Sequence, residues 1–311
     1  MESQPSGTGQ VPAAAPSDGS AGPARHLPGH IAAALAGAGR ATESAGRPWA
    51  GRSLSGDDAR IHSFEDDDGA ADAGYLAARA ELLAGDGSEA GIVASLATAR
   101  VFVPILAQLA EEDEGAADAP AGTLHGDKQA DMALVTLKAP DGRTAMPVFT
   151  SAATLQAWHP DARPVAVYAP RAALSAVAEG AELLVLDPGS DVTFVVRRPA
   201  VWALAQQRTW TPSYADPDLA RSLGEAAVGF PAVRRVEIHP GGGVASLTAD
   251  GRQLPGGGSG PELRILLYLE DGLDAAGVQS IVAGLNSAWA RNEMFAERVD
   301  SIEVKLQRAA Q

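Results

Sequence analysis

Two apolar runs in the middle of the chain, separated by a short turn sequence, most constrain the fold. Residues 132–138 and 144–149 are rich in residues that favour strands. Pro140, Asp141 and Gly142 lie between them, and this order of residues favours a tight turn. The pattern predicts a β-hairpin over residues 132–149.

Upstream of the hairpin, the sequence predicts two capped helices and one strand. Asp72 and Ser88 each precede apolar residues at helical spacing, so each is placed to cap a helix. Residues 101–106 are predicted to form a strand, for which Pro104 suggests an edge position. The acidic, Ala- and Gly-rich residues 111–129 lack periodicity and are predicted to form a mobile loop.

Downstream of the hairpin, Thr150 or Ser151 is expected to cap a short helix that ends before Pro160. A strand, helix, strand passage should follow, and then a third strand and a second helix. These elements are predicted at residues 165–168, 170–179, 183–186, 192–196 and 199–207. Beyond residue 216 we predict a helix at 217–228 and strands at 233–238 and 263–269, with a glycine-rich stretch at 240–243 and a flexible loop at 255–261. Asp274 should then cap a long helix that bears Val278, Ile281, Val282 and Leu285, and a closing strand is predicted at 299–306.

This order of elements predicts an α+β fold with two small domains of mixed sheet flanked by helices. Residues 1–46 contain almost no large apolar residues, so they are predicted to be a disordered Ala/Gly/Pro/Ser-rich tail. We expect a leader with an acidic segment and a helix at 47–86, domains at 87–207 and 217–308, and a linker at 208–216.

Composition excludes several kinds of chemistry. The chain has no cysteine, so disulfides, thiolate metal sites and cysteine nucleophiles are ruled out. No run of about 18 apolar residues is present, so we expect no membrane span and a cytoplasmic location. The six histidines include one pair at helical spacing, His26 and His30, but Pro28 between them argues against a helix, so no metal site is predicted.

The net charge of −15 is concentrated in one part of the chain. Residues 65–131 hold fifteen acidic residues against three basic ones. Such a segment repels a phosphate backbone, so nucleic-acid binding is not expected. The acidic segment could attract a basic protein partner, or it could be a solvated and mobile stretch.

Two isolated aromatic residues, Trp49 and Phe64, stand in the polar leader. They could anchor the leader on the protein's own surface or insert into a groove on a protein partner. Both interpretations are left open by the sequence.

Four further residues are candidates for ligand or partner contact. Asp187 follows an apolar strand, where a carboxylate can serve a ligand, although an Asp before Pro-Gly also forms turns. Thr150 and Ser151 lie at a strand-to-helix junction whose amides could hold an anion or could simply be capped. Trp158 could pack or recognise a ligand. The glycine-rich stretches lack a neighbouring Lys-Ser/Thr and a following helix, so no nucleotide cofactor or other cofactor is predicted.

Three segments of the first predicted domain resemble the SseB family, which is named for enhanced serine sensitivity: residues 144–151 (TAMPVFTS), 162–165 (ARPV) and 183–188 (LLVLDP). Upstream, residues 49–52 (WAGR) and 64–69 (FEDDDG) resemble the leader of actinobacterial members. Downstream, residues 262–264 (ELR) and the helix and strand after them resemble the family's C-terminal domain more loosely. The resemblance covers about residues 47–308 and implies no catalytic residue, cofactor or reaction.

With no catalytic motif in the sequence, we expect a non-enzymatic binding or scaffold protein. The alternative is a small-molecule sensor or enzyme linked to serine or amino-acid metabolism, with Thr150, Ser151 and Asp187 near its ligand.

Overall fold

The computed structural model describes residue 64 and residues 67–108 and 131–309. The predicted tail at 1–46, Trp49 and the predicted mobile loop at 111–129 lie outside the described residues. Helices and mixed sheets follow one another along the described chain, and this confirms the predicted α+β class.

Both predicted N-terminal helices form, and their caps are the residues that the sequence indicates. Helix α1 spans Ala73–Ala84, and the Asp72 carboxylate accepts hydrogen bonds from the first free amides of this helix. Helix α2 spans Glu89–Leu96, and the Ser88 hydroxyl accepts the amide of Gly91. Local side-chain chemistry therefore fixes where both helices begin.

The predicted strand after α2 is longer than expected and does not lie at an edge. Strand β1 (Arg100–Gln108) lies between β2 (Asp131–Leu134) and β5 (Arg163–Tyr168), and it runs antiparallel to both. The edge position suggested by Pro104 is therefore wrong. Pro104 is tolerated because pairing with β2 begins only at the next residue, Ile105.

The predicted hairpin forms only around its turn. Strand β3 (Leu137–Lys138) pairs with β4 (Thr144–Val148), and Gly142 adopts a positive φ in the turn between them. The earlier residues of the first run, Asp131–Leu134, instead form β2 and pair with β1. One predicted strand is thus divided between two sheets.

Strand β4 is parallel to β6 (Leu183–Leu186), and the chain crosses between them through α3 (Ala152–Trp158), β5 and α4 (Ala169–Ala178). Strand β7 (Phe194–Val196) and helix α5 (Arg198–Ala205) complete this half. The two sheets meet where Phe102 and Phe149 exchange backbone hydrogen bonds of 2.7 and 2.8 Å. Side chains from α1, α2, α4, α5 and both sheets form the first core, which includes Leu82, Ile92, Leu96, Met146, Leu184 and Phe194.

The second half forms its own layer of helices on a mixed sheet. Strand β11 (Leu263–Leu269) lies between β8 (Val233–Pro240), which is antiparallel to it, and β12 (Ile302–Arg308), which is parallel to it. Leucine and isoleucine alternate inward along β11 and pack against helices in the second core. The helices of this layer are α6 (Pro217–Ala227), α7 (Ala275–Ala290) and α8 (Glu293–Arg298).

The glycine-rich stretches form a compact backbone crossing. Strands β9 (Ala245–Leu247) and β10 (Gln253–Gly257) pair, so the flexible loop predicted at 255–261 is wrong for residues 255–257. A Cβ atom on Gly243 would lie 2.2 Å from the backbone of Gly260, which is too close for any side chain. Leu254 of β10 packs in the first core, so this crossing joins the two halves.

Candidate functional site

The structure brings together the predicted site residues Thr150 and Asp187 at the carboxyl ends of the parallel strands β4 and β6. The Thr150 amide donates to Asp187 Oδ1 at 2.8 Å, and the Thr150 hydroxyl donates to Oδ2 at 2.6 Å. The Thr154 hydroxyl donates to Oδ1 at 3.0 Å. Three neutral donors therefore occupy this buried carboxylate.

Asp187 also occupies a strained turn position, because its φ of 46° lies in the left-handed region that non-glycine residues rarely adopt. Its carbonyl accepts the amide of Ser190, and its amide donates to Val148 of β4. Tyr75 of α1 is buried nearby, and burial together with the Asp187 charge raises the pKa of its hydroxyl. The aspartate thus links two strand ends and closes a turn.

Ser151 and Trp158 lie at the two ends of α3, the helix whose Thr154 donates to this carboxylate. The Ser151 hydroxyl accepts the Thr154 amide, and this forms the predicted helix cap. The half-buried Trp158 ring packs against Phe149, with ring centroids 5.2 Å apart. In the structure, then, Ser151 caps its own helix and Trp158 packs on a core aromatic residue.

The described end of the leader docks on the first half of the protein. The Phe64 ring lies 5.2 Å from the Tyr168 ring, between centroids. Asp67 forms an ion pair with Arg100, with 2.5 Å between Oδ2 and Nε, and Arg100 also donates to the Thr150 carbonyl. Phe64 therefore contacts the protein's own surface, and at least one acid of the predicted acidic segment is engaged internally.

Sequence reasoning missed the second concentration of polar groups, at the junction between the two cores. Arg197 follows β7, and only 1% of its side chain is exposed. Its guanidinium donates to the carbonyls of Gly243 and Gly258 in the glycine crossing. Glu89 lies 4.0 Å from it, with its own side chain 2% exposed. The Arg197 Nη1 atom is buried and has no hydrogen-bond partner among the residues that the structure describes.

Glu89 and Glu262 are two buried carboxylates on either side of this junction. Glu89 accepts the Tyr214 hydroxyl at 3.1 Å and the Gly257 amide at 3.2 Å. Glu262 accepts the amides of Ser213 and Asp300. Burial raises the pKa of both carboxyl groups, although Arg197 favours their ionised forms.

Two more arginines connect the halves. Arg143, in the turn after β3, donates to Asp300 at 2.7 Å and to the Ser259 carbonyl at 2.9 Å. Arg198 donates to the carbonyls of Ala296 and Val299, and its guanidinium carbon lies 4.6 Å from the centre of the Trp202 ring. Three arginines of the first half are thus bound to backbone and carboxylate oxygens of the second.

An open cleft of about 210 Å³ lies beside this junction, between α5, residues 208–211 and α8. We call it the junction cleft. Residues from both halves line it, among them Trp202, Arg208, Trp210, Asp216, Glu297 and Arg298. The two tryptophans give it an aromatic wall, and the four ionisable residues place charge around that wall.

The aspartate that lines the junction cleft is already engaged. Asp216 Oδ1 accepts the amides of Asp218 and Leu219 at the start of α6, and Oδ2 accepts Arg298 at 2.8 Å. Burial opposes ionisation of Asp216, but the Arg298 hydrogen bond and these amides outweigh it, so its pKa lies below its usual value. Asp216 is therefore a charged helix cap that positions Arg298.

Local signals for these residues existed but did not identify their partners. Arg197 and Arg198 lie between an apolar strand and an apolar helix, and Glu262 directly precedes the strongest strand of the second half. Charged residues in such positions are rarely fully buried unless they are paired. Their partners are about 40 to 110 residues away in the sequence, and no short-range pattern specifies such pairs.

Metal-ligand clusters and membrane-spanning helices are both missing from the described residues. Residue 64 and residues 67–108 and 131–309 include no group of three or more His, Cys, Asp or Glu placed to hold a metal ion. In the same part of the chain, no helix is both long and apolar enough to cross a membrane.

Comparison with known proteins identifies the first half. Residues 75–203, from α1 to the last turn of α5, match the model of the SseB protein N-terminal domain. The resemblance noted in the sequence is confirmed for this region. Comparisons with curated proteins and with solved structures give no match. Residues 75–203 are therefore similar to the N-terminal domain of the SseB family.

Proposed function

We propose that this protein is a non-enzymatic binding protein of the bacterial cytoplasm and that it contacts a protein partner through the junction cleft. The observation that carries this proposal is the cleft itself, in which Trp202 and Trp210 form an aromatic wall next to the cationic Arg208 and Arg298. Tryptophan and arginine are among the residue types most enriched at positions that dominate binding energy in protein interfaces.

The junction supports this proposal because it holds the cleft in one shape. Arg197 and Arg198 tie α5, one wall of the cleft, to backbone carbonyls of the second half. A preformed surface loses less conformational entropy on binding than a mobile one. A volume of about 210 Å³ suits one large side chain of a partner rather than an extended ligand.

The acidic segment at 65–131 and the anchors Trp49 and Phe64 support partner binding less strongly than the sequence alone suggests. Among the described acids of this segment, Asp67 pairs with Arg100, Asp72 caps α1, and Glu89 is buried at the junction. Those carboxylates already have partners within the protein. Attraction of a basic partner by the remaining acids is retained as a secondary proposal.

Affinity capture with the full chain as bait tests the cleft directly. Thr211 is exposed and lines the junction cleft, so Thr211→Trp should block the cleft with little effect on the core. Thr98→Trp places the same side chain on another exposed site, between α2 and β1. We expect one partner, identified by mass spectrometry, to be captured by the wild type and by Thr98→Trp and to be lost with Thr211→Trp. Equal capture by all three proteins would contradict the proposal.

A second candidate function is supported by the position of Asp187. The carboxyl ends of parallel strands are where open α/β sheets commonly bind ligands, and Thr150, Thr154 and Asp187 meet there. We propose a small-molecule sensor or enzyme linked to amino-acid metabolism as the alternative. A thermal-shift measurement with serine and related amino acids tests it, because a ligand of the native state must raise the melting temperature. An unchanged melting temperature at millimolar amino acid would exclude this alternative for the amino acids used.

A further inference from the structure

We infer that the junction cleft recognises a carboxylate next to an apolar side chain, as presented by an acidic peptide segment of the partner protein. This inference rests on the proposed function, since it specifies the chemistry of the same cleft. It follows from which polar groups of the cleft are already engaged, which are still available, and how much apolar surface lies beside them.

The acids that line the cleft are engaged within the protein. Both oxygens of Asp216 accept hydrogen bonds, from two backbone amides and from Arg298. Glu297 also interacts with another group of the chain. A cationic ligand group would have to compete with the amides and with Arg298 to reach the Asp216 carboxylate.

The two arginines that line the cleft still have N–H groups available to a ligand. Arg208 is exposed, and no carboxylate lies within ion-pair distance of it in the part of the chain that the structure describes. Arg298 donates to Asp216 from Nη1, and 42% of its side chain remains exposed. A guanidinium carries five N–H groups, so this single bond leaves most of them available to a ligand. The accessible polar groups of the cleft are therefore mainly donors, which suit an anionic acceptor.

The aromatic wall specifies what should accompany the carboxylate. Trp202, which is 8% exposed, and the half-buried Trp210 line the same cleft as Arg208, so a ligand whose carboxylate reaches Arg208 places its neighbouring atoms near the accessible parts of the indole rings. An apolar or aromatic side chain gains from that contact by removal of its surface from water. These features favour an Asp or Glu flanked by a large apolar residue.

Three short peptides test the charge preference on the full chain. We use acetyl-Glu-Phe-Glu-amide, its Gln-Phe-Gln and Lys-Phe-Lys analogues, and protein labelled with nitrogen-15 at its five tryptophans. Indole N–H signals are assigned with Trp202→Phe and Trp210→Phe. The acidic peptide should shift the Trp202 and Trp210 signals saturably, and the Gln-Phe-Gln peptide should bind roughly fivefold more weakly, as an exposed charge pair allows. Free N-acetylphenylalanine, a small carboxylate, should bind more weakly than the acidic peptide.

Charge reversal at the rim supplies the matched control. Arg208→Glu should weaken binding of the acidic peptide by at least about fivefold and should strengthen binding of the Lys-Phe-Lys peptide. Arg171→Glu changes the same charge on the exposed face of α4 and should leave binding unchanged. Added salt should weaken binding of the acidic peptide more than binding of the neutral one.

Three other outcomes would overturn the inference, and each has its own consequence for the proposed function. If the neutral or basic peptide binds as well as the acidic one, the carboxylate preference is wrong while the cleft remains a contact surface. If N-acetylphenylalanine binds as tightly as the peptide, the ligand is a small carboxylate and not a peptide. If millimolar acidic peptide shifts neither indole signal, the inference fails, and the capture experiment with Thr211→Trp then decides separately whether the proposed function fails too.

Discussion

The ends of β4 and β6 and the junction between the two cores both bury ionisable side chains, but they stabilise them differently. At the strand ends, the Asp187 carboxylate is surrounded by the amide of Thr150 and by two hydroxyls from the same half. At the junction, Arg197 from one half is held by carbonyls of the other, next to the Glu89 carboxylate, and within the described part of the chain its Nη1 atom has no partner.

The junction therefore depends on contacts between distant parts of the chain, whereas the strand ends depend on contacts within one half. A carboxylate held by neutral donors keeps most of its hydrogen bonds when one donor is lost. Removal of a buried arginine held between two halves takes the cation from a buried carboxylate and the side-chain donor from two carbonyls, and a buried charge that loses its counter-ion is among the most destabilising changes in proteins. The junction should therefore respond to substitution more strongly than the strand ends.

The largest expected effect is that of Arg197→Met. This change keeps most of the side-chain volume but leaves Glu89 buried without its cation, so the free energy of unfolding should fall by about 3–5 kcal/mol. Guanidinium unfolding followed by circular dichroism measures it. The double variant Glu89→Gln/Arg197→Met should recover part of the loss, because both charges are then absent. A loss below about 1 kcal/mol in the single variant would show that the junction does not rely on this charge.

The glycine crossing should be the next most sensitive element. Gly243→Ala places a Cβ atom 2.2 Å from the backbone of Gly260, so the two segments must move apart. We expect a loss of about 2 kcal/mol, as is usual for overpacking. Gly224→Ala is the matched control, because Gly224 lies within α6 and a Cβ atom there would meet open space, so this change should stabilise the helix slightly. Equal melting temperatures for Gly243→Ala and the wild type would contradict a close-packed crossing.

The elements that sequence predicts well are those whose cause is local. Asp72, Ser88 and Ser151 cap the helices that follow them, because the accepting oxygen and the free amides lie within a few residues. The strands predicted at 183–186 and 263–269 have the observed bounds, because apolar runs of that length favour buried strands.

The features that sequence does not predict are set by contacts over long distances. The partner of residues 131–134 is β1 rather than β4, and this choice depends on how two sheets meet at Phe102 and Phe149. The glycines at 241–260 suggest flexibility from composition alone, and only the crossing of two backbones explains why side chains are absent there. Among the candidate site residues, Thr150 and Asp187 lie together because both follow strands of one sheet, whereas the junction cleft combines residues from both halves.

A smaller effect is expected from Asp187→Asn at the strand ends. Asparagine tolerates the left-handed conformation of this position but offers one acceptor oxygen instead of two. The Thr150 hydroxyl should therefore lose its acceptor, at a cost of about 1–2 kcal/mol. Asp191→Asn, on the exposed side of the same turn, should change the free energy of unfolding by less than about 0.5 kcal/mol. If Asp187→Asn destabilises as much as Arg197→Met, the strand ends and the junction do not differ as we infer.

The smallest expected effect is on the pH dependence of stability, and it comes from the junction alone. Burial raises the pKa of Glu89 and Glu262, so the folded protein binds protons more tightly than the unfolded chain does. Their contribution to stability is thus greatest near or below the unfolded value of about 4.3 and declines as pH rises through the raised folded pKa. Asp216 acts in the opposite sense, because its pKa is lowered and its contribution is lost only as pH falls below about 4.

Urea unfolding of the wild type and of Glu89→Gln between about pH 5 and 8 separates these contributions, because Asp216 is ionised throughout that range. The free energy of unfolding of the wild type should decline with rising pH, and Glu89→Gln should flatten this decline because its amide does not titrate. Glu225→Gln, on exposed surface of α6, should leave the slope unchanged. If Glu89→Gln has the wild-type slope, then Glu89 is ionised at the junction at all these pH values, and Arg197 stabilises its charge more strongly than burial opposes it.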